Sequence, residues 1–142
     1  MTQKEKQLLF KDLCARLPYG VKFPYHIEED SNHRECECIA TINAISEDAI
    51  EFTYDENGKL RDWSCIIKEV KPYLRPMSSM TEEEIDEYHK RCEFNDCDYT
   101  GEPMYFDTLE SFDYLYSIHV DCRGLIPMGL ALEAPDDMYK TK

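Results

Sequence analysis

Histidines and cysteines are the residues best suited to metal chemistry in this sequence. Two groups occur, namely His33, Cys36 and Cys38, and His89, Cys92 and Cys97. Structural zinc sites usually combine two closely spaced ligand pairs. Cys36 and Cys38 would share one face of a strand, and His89 and Cys92 one face of a helix, which core packing explains equally well. We therefore predict no metal or other cofactor, and the second group is kept as the weak candidate.

Nucleophilic catalysis is the next chemistry to consider. Cys122 with His119 could supply a nucleophile and its base, but seven cysteines and four histidines make chance pairs expected. The serine elbow G-x-S-x-G is absent, and the five glycines match neither a phosphate-binding loop nor a dinucleotide fingerprint. Carboxylate pairs abound, but none stands out. These patterns argue against an enzyme; an enzyme with a site at the sheet–helix junction stays an alternative.

Aromatic residues offer a different role, because aromatic side chains are favoured anchors in protein interfaces. The candidates Tyr25, Trp63 and Tyr73 come from the segment predicted to form a sheet, near its rim. They could line a groove for a peptide or a partner protein, while core packing of Trp63 is the competing interpretation. We predict a protein partner at these three residues, with its identity and the oligomeric state left open.

The charge of the chain limits the choice of partner. Thirty acidic and sixteen basic residues give the 142-residue chain a formal net charge of −14. Direct nucleic-acid binding is disfavoured, because it depends on Lys and Arg displacing counterions from phosphates. Solubility is the simplest explanation of the acidity. The alternative is an acidic nucleic-acid mimic that binds a DNA-binding protein, with its surface in the strongly acidic stretch 82–110.

The apolar segments indicate the compartment. No run approaches the ~20 apolar residues of a membrane span. The N-terminal stretch carries charges within its apolar cluster and lacks the features of a signal peptide. We therefore expect a cytoplasmic protein without membrane contact. In that reducing compartment the seven cysteines are thiols, and their odd number argues against a complete disulfide framework.

The predicted architecture that positions these residues is α+β, in a single domain over residues 1–142. Residues 1–17 predict an amphipathic helix that ends at Pro18 and Gly20. Its basic residues, including Arg16, take positions away from the apolar face. That face comprises Leu9, Phe10, Leu13, Cys14 and Leu17. We expect it to pack on the rest of the domain.

Residues 18–76 predict a β-meander. The candidate strands read GVKFPYHI, CECIATINAI, AIEFTY and LRDWSCIIKEV. Ile50, Phe52 and Tyr54 alternate toward one face, and Asn57-Gly58 predicts a tight hairpin turn. Because open edges pair promiscuously, such a set is expected to close or to be covered. We predict a small, strongly bent antiparallel sheet or SH3-like partial barrel over about residues 20–75, with helices covering its open side.

Residues 77–142 predict two helices and an extended tail. Thr81 and Glu84 have the spacing of a capping box that begins a helix over 82–92, so the carboxylates of its first turn are explained by the helix dipole. A loop is predicted over 93–106. Asp107 and Glu110 predict the cap of a second helix. The tail is expected to dock on the core as an extended cover through Leu125, Ile126, Leu130 and Leu132.

Three segments resemble a known family. They read LPYGVK at 17–22, VKPYLRPMSSMTEEE at 70–84 and DCRGLIPMGLALEAPDDMY at 121–139, about 40 of 142 residues. They are similar to small proteins from gut Bacteroidales genomes and their phages or integrated elements. The resemblance implies a cytoplasmic or phage-associated origin. It does not indicate any particular activity. Taken together, the patterns favour a non-enzymatic protein-interaction module.

Overall fold

The computed structural model describes residues 1–27, 36–47, 49–56, 58–95 and 104–139. Its main sheet is an antiparallel meander whose strands lie in the order β1-β2-β3-β4. The strands are β1 (Lys22–Ile27), β2 (Cys36–Ile45), β3 (Ile50–Glu56) and β4 (Lys59–Cys65). The predicted α+β class is confirmed. The sheet stays open and does not close into a barrel, so β1 and β4 are its two edges.

Helix α1 (Gln3–Arg16) begins at Thr2, whose hydroxyl accepts a hydrogen bond from the Glu5 backbone N–H at 3.1 Å. Leu9 and Leu13 are fully buried, as the helical periodicity predicted. The predicted positions of two further side chains on α1 were wrong. Cys14 is exposed, and Arg16 is fully buried because its charge is compensated inside the protein.

The core lies between one face of the main sheet, α1 and the C-terminal segment. The alternation in β3 is confirmed, since Ile50, Phe52 and Tyr54 are all buried. Each buried Phe or Ile side chain contributes roughly 1.5–3 kcal/mol through the hydrophobic effect. From outside the sheet come Leu9, Leu13, Ile67, Val70, Leu74, Leu125, Leu130 and Ala131.

The chain leaves β4 earlier than predicted, because Ile67–Glu69 forms a 3-10 turn instead of extending the strand. A two-residue strand β5 (Tyr73–Leu74) then pairs in parallel with β8 (Leu132–Glu133) from the tail. The Leu132 N–H donates to the Pro72 carbonyl at 2.8 Å. The tail therefore docks on the core as predicted, with Leu125 and Leu130 buried.

Helix α2 (Glu82–Arg91) begins with the predicted capping box of Thr81 and Glu84. Residues 93–106 were predicted to be a loop. Instead, the two ends of this stretch form short strands that pair with each other. Strand β6 (Glu93–Asn95) pairs there with β7 (Met104–Phe106). Phe94 contacts Tyr105 across the two strands, with ring centroids 5.6 Å apart, which supports the pairing. The glycine and proline in this stretch had indicated a loop and gave no sign of this contact.

Helix α3 (Leu109–Ser117) confirms the second predicted helix but not its cap. Thr108 is the N-cap and Ser111 the third helical residue, so the Asp107–Glu110 box was wrong by one residue. Leu109, at the first position of the helix, is 90% exposed. Helices α2 and α3 pack against each other, beside the main sheet's covering helix α1.

Candidate functional site

The two edges of the main sheet differ in their exposure to solvent. Every residue of β4 except Cys65 is exposed. Strand β4 pairs with β3 in an uninterrupted register from Glu56 opposite Lys59 to Ile50 opposite Cys65. Within the described part of the chain no strand pairs with the other side of β4. An exposed, regular edge strand of this kind is a template for pairing with a further strand.

Turn geometry determines which backbone groups of β4 face outward. Glu56 lies opposite Lys59, so a two-residue connection joins β3 to β4; Gly58, its second residue, has φ 86°, and its N–H donates to Asp55 Oδ1 at 2.8 Å. The residues flanking such a turn form a hydrogen-bonded pair, and bonded and non-bonded pairs then alternate along the hairpin. Arg61 and Trp63 therefore bond to β3. The outward N–H and C=O groups belong to Leu60, Asp62 and Ser64.

The opposite edge, β1, is partly covered by the tail. The Ile42 N–H donates to the Val21 carbonyl at 3.0 Å, so by the same alternation Lys22 and Pro24 point away from β2. Pro24 has no N–H. The Lys22 N–H donates to the Tyr139 hydroxyl at 3.0 Å, and that hydroxyl donates to the Tyr73 carbonyl at 2.8 Å. The tail and Pro24 thus leave β1 with fewer outward N–H groups for strand pairing than β4 has.

Trp63 is the most prominent side chain on β4. It lies directly opposite Phe52, which is fully buried, yet 62% of Trp63 itself is exposed. Core packing of Trp63 was therefore a wrong interpretation, because the cover over the sheet stops short of its edge strand. Phe52 in turn contacts the ring of Tyr25, with centroids 4.6 Å apart. The exposed indole thus extends from the strand next to a buried aromatic cluster.

The other face of β4 is polar near its centre. Asn43 donates to Thr53, and the Thr53 hydroxyl donates to Asp62 Oδ1 at 2.8 Å, which links β2, β3 and β4. A shallow depression of about 520 Å³ lies here. Its lining residues are Asn43, Glu51, Phe52, Asp62, Trp63 and Ser64. This lining includes the carboxylates of Glu51 and Asp62 and contains no histidine or cysteine.

The three aromatic residues predicted to share a groove lie in different places. Trp63 is on the edge strand β4, and Tyr25 is on the opposite edge strand β1, half-buried against Phe52 and Tyr54. Tyr73 is in β5, outside the main sheet, and its carbonyl is occupied by Tyr139. Of the three, only Trp63 belongs to the open edge. Leu60 and Ile66, which sequence analysis did not single out, are also exposed there, Leu60 by 78%.

The metal candidates are only partly described. His89 stacks on Tyr105 with ring centroids 3.9 Å apart, and the Cys92 N–H closes the end of α2. Cys97 and His33 lie outside the described residues, as does the side chain of Cys36. Among the residues that the structure does describe, no three His, Cys, Asp or Glu side chains converge as metal ligands.

The Cys122–His119 pair lacks the electrostatics of a nucleophile and its base. Burial raises the pKa of the Cys122 thiol, which keeps it protonated at neutral pH. Burial, reinforced by Arg16, Lys22 and Arg75, lowers the pKa of His119 to about 4. The imidazole stacks on Tyr139 with centroids 3.6 Å apart. His119 is thus a neutral, structural residue that supports the tail.

Two ion pairs anchor the helices around this tail. Arg16 Nε donates to Asp12 Oδ2 at 2.7 Å, both side chains being fully buried, and its Nη2 also donates to the Val120 carbonyl at 2.8 Å. Arg75 donates two hydrogen bonds to Glu84 and holds the pKa of that carboxyl at about 2. Glu84, part of the stretch proposed as a nucleic-acid mimic, is therefore engaged within the protein.

Comparisons with known proteins add no relative. No protein-family model matches the chain, and no curated protein or solved structure is significantly similar to it. Separately, none of the helices in the described residues is both long and apolar enough to cross a membrane.

Proposed function

We propose that the protein is a non-enzymatic protein-interaction module that binds an extended segment of a protein partner alongside β4. One observation carries the proposal: β4 is an exposed edge strand in regular register with β3, so the N–H and C=O groups of Leu60, Asp62 and Ser64 face outward. In strand addition of this kind, main-chain hydrogen bonds supply affinity and alternate side chains supply specificity.

The side chains of β4 give the added segment two different faces to contact. Successive residues of a strand point to opposite faces, so Trp63 serves one face, and Leu60 and Ile66 serve the other. Trp is among the residues that contribute most to binding when it is buried in an interface. We therefore expect the bound segment to carry an apolar residue opposite Trp63. Tyr25 and Tyr73 take no part.

The charge of β4 favours such an approach. The strand carries two basic residues and one acidic residue, in a chain whose formal net charge is −14. An uncharged or mildly acidic segment meets little local repulsion there. The proposal includes a cytoplasmic setting, which the free thiols of Cys14, Cys65, Cys92 and Cys122 fit. Association with bacteria or phages stays an expectation from the resemblance.

A displayed library of extended peptides tests the proposal. We expect wild-type protein to select peptides with an apolar residue near their centre, and Ser64→Pro to weaken their binding at least about tenfold. Proline at this position removes an outward N–H and obstructs the added strand, but it removes no bond to β3. Ser64→Ala keeps the N–H and is the matched control.

Two outcomes of the peptide-library experiment count against binding along β4. Selected peptides that bind Ser64→Pro as tightly as wild type would contradict the proposal, as would a library that yields no binder. A circular dichroism spectrum of Ser64→Pro equal to that of wild type is required as evidence that the variant folds.

A further inference from the structure

The β4 edge can pair with a second copy of itself without placing like charges opposite each other. We infer that a second copy of this chain is the partner, with the two β4 strands antiparallel and Trp63 of each copy on the two-fold axis. The inference rests on the proposed function and names the partner of that same site. The pairing would join the two four-stranded sheets into one continuous sheet of eight strands.

Geometry restricts the registers that two copies can adopt. A two-fold axis perpendicular to the sheet keeps the core faces of both copies on one side, so each residue is opposite a residue of the same face. Only registers centred on a residue satisfy this condition. The outward-facing residues Leu60, Asp62 and Ser64 then form the hydrogen-bonded pairs, and the residues between them form the closer, non-bonded pairs.

Charge distinguishes among these registers. Centring on Arg61 or on Asp62 places that residue directly opposite its own copy, and like charges in this position are destabilising. Centring on Ser64 places Asp62 opposite the apolar Ile66. Centring on Trp63 places Asp62 opposite Ser64, and Leu60 opposite Ile66. Of the registers centred on Arg61, Asp62, Trp63 and Ser64, the Trp63 register alone has no like-charge pair and no acid against an apolar side chain.

The Trp63 register also makes the best use of the backbone and of the indole. Asp62 and Ser64 of each copy form complete hydrogen-bonded pairs, whereas Ile66 already donates its N–H to Glu69 Oε2 at 3.3 Å. The two Trp63 side chains fall in the non-bonded pair, where cross-strand side chains approach most closely. Aromatic pairs there add to the stability of the sheet. The same contact covers the exposed indole of both copies.

Electrostatics predict how tight this dimer is. Each copy carries a formal charge of −14, so long-range repulsion opposes association. Strand β4 itself has an excess of one positive charge, so the two paired edges do not add to the repulsion between acidic surfaces. We expect a small, reversible interface that strengthens with ionic strength, because salt screens the repulsion between the copies.

Sedimentation equilibrium between about 10 µM and 1 mM protein tests the inference. We expect the weight-average mass to rise toward that of a dimer. Trp63 is the single tryptophan, so its emission should shift to the blue over the same range as the indole leaves water. Ser64→Pro should keep the protein monomeric, since proline blocks the ladder.

Substitutions at Ser64 then test the register. Ser64→Lys should tighten the dimer about fivefold, because each lysine lies opposite Asp62 of the other copy, and Ser64→Asp should weaken it to a similar degree. Ser78→Lys and Ser78→Asp are charge-matched controls on an exposed residue of the turn Met77–Ser79, and they should have much smaller effects.

The outcomes separate this inference from the proposed function. A dimer that responds to Ser64 as described supports both. A protein that stays monomeric, yet binds peptides in a proline-sensitive manner, overturns the dimer and leaves the module. A dimer that Ser64→Pro does not alter, or that responds equally to Ser64→Lys and Ser78→Lys, also overturns the inference.

Discussion

Asp12→Ala is expected to lower the free energy of unfolding by about 3–5 kcal/mol, because it leaves the guanidinium of Arg16 buried without a counter-ion. Arg16 and Asp12 are both fully buried, and Arg123 also approaches Asp12, with Nε 3.5 Å from Oδ1. Arg16 Nη1 has no hydrogen-bond partner among the described residues, so little is available to replace the lost carboxylate. Urea unfolding of wild type and variant measures the difference.

The exposed pair of Glu87 and Arg91 is a matched control for Asp12 and Arg16. It has the same helical spacing and an Nε–Oε1 distance of 3.0 Å, but about 40% of each side chain is exposed. Glu87→Ala should therefore change stability by no more than about 0.5 kcal/mol. Equal losses for Asp12→Ala and Glu87→Ala would show that burial of the first pair does not govern stability. Asp12→Leu with Arg16→Met should recover most of the loss, since both charges are then removed.

Lowering the pH from 7 to 5 is expected to destabilise the protein by about 2 kcal/mol through His119 alone. The pKa of His119 is about 4 in the folded protein, below its ordinary value of 6.5. Between these values the unfolded chain binds a proton that the folded protein does not, so stability falls as the pH falls. Glu84, with a pKa of about 2, adds a second loss only below pH 4.5.

His119→Asn separates the contribution of His119 to the pH dependence of stability from the contributions of the carboxylates and the other histidines. Residue 119 has φ 64°, a conformation that asparagine tolerates better than most residues. The variant should be less stable than wild type at pH 7, because it loses the stacking on Tyr139. Its loss of stability between pH 7 and 5 should be smaller by about 2 kcal/mol. The same pH dependence in both proteins would contradict the assignment to His119.

Local patterns predicted the elements well where short-range chemistry determines them. The Thr81–Glu84 capping box and the predicted hairpin turn depend on residues within three positions of each other. The helix begins at the first, and Glu56 lies opposite Lys59 at the second, while Asn57 itself lies outside the described residues. The alternation of Ile50, Phe52 and Tyr54 likewise reflects a property of one strand. The burial of Arg16 was missed because a basic residue was assigned to solvent, although Asp12 four residues earlier was the available local signal.

The open edge could not be predicted, because it depends on distant parts of the chain. Trp63 was identified as a possible anchor, but whether it was core or surface depended on which strand formed the edge. The closure of β1 by Tyr139 joins residues 117 positions apart, which no local pattern reports. Tyr25 and Tyr73 were grouped with Trp63 because all three are aromatic, and the strand order separates them.

Hydrogen exchange of individual backbone amides in dilute protein tests the open β4 edge most directly. The N–H groups of Arg61 and Trp63 bond to β3 and should exchange slowly, whereas those of Leu60, Asp62 and Ser64 should exchange at nearly the rate of an unstructured chain. Addition of a selected peptide, or an increase in protein concentration, should protect the second set. Equal protection of both sets at the lowest concentration would show that the edge is already covered, and would contradict an open binding edge.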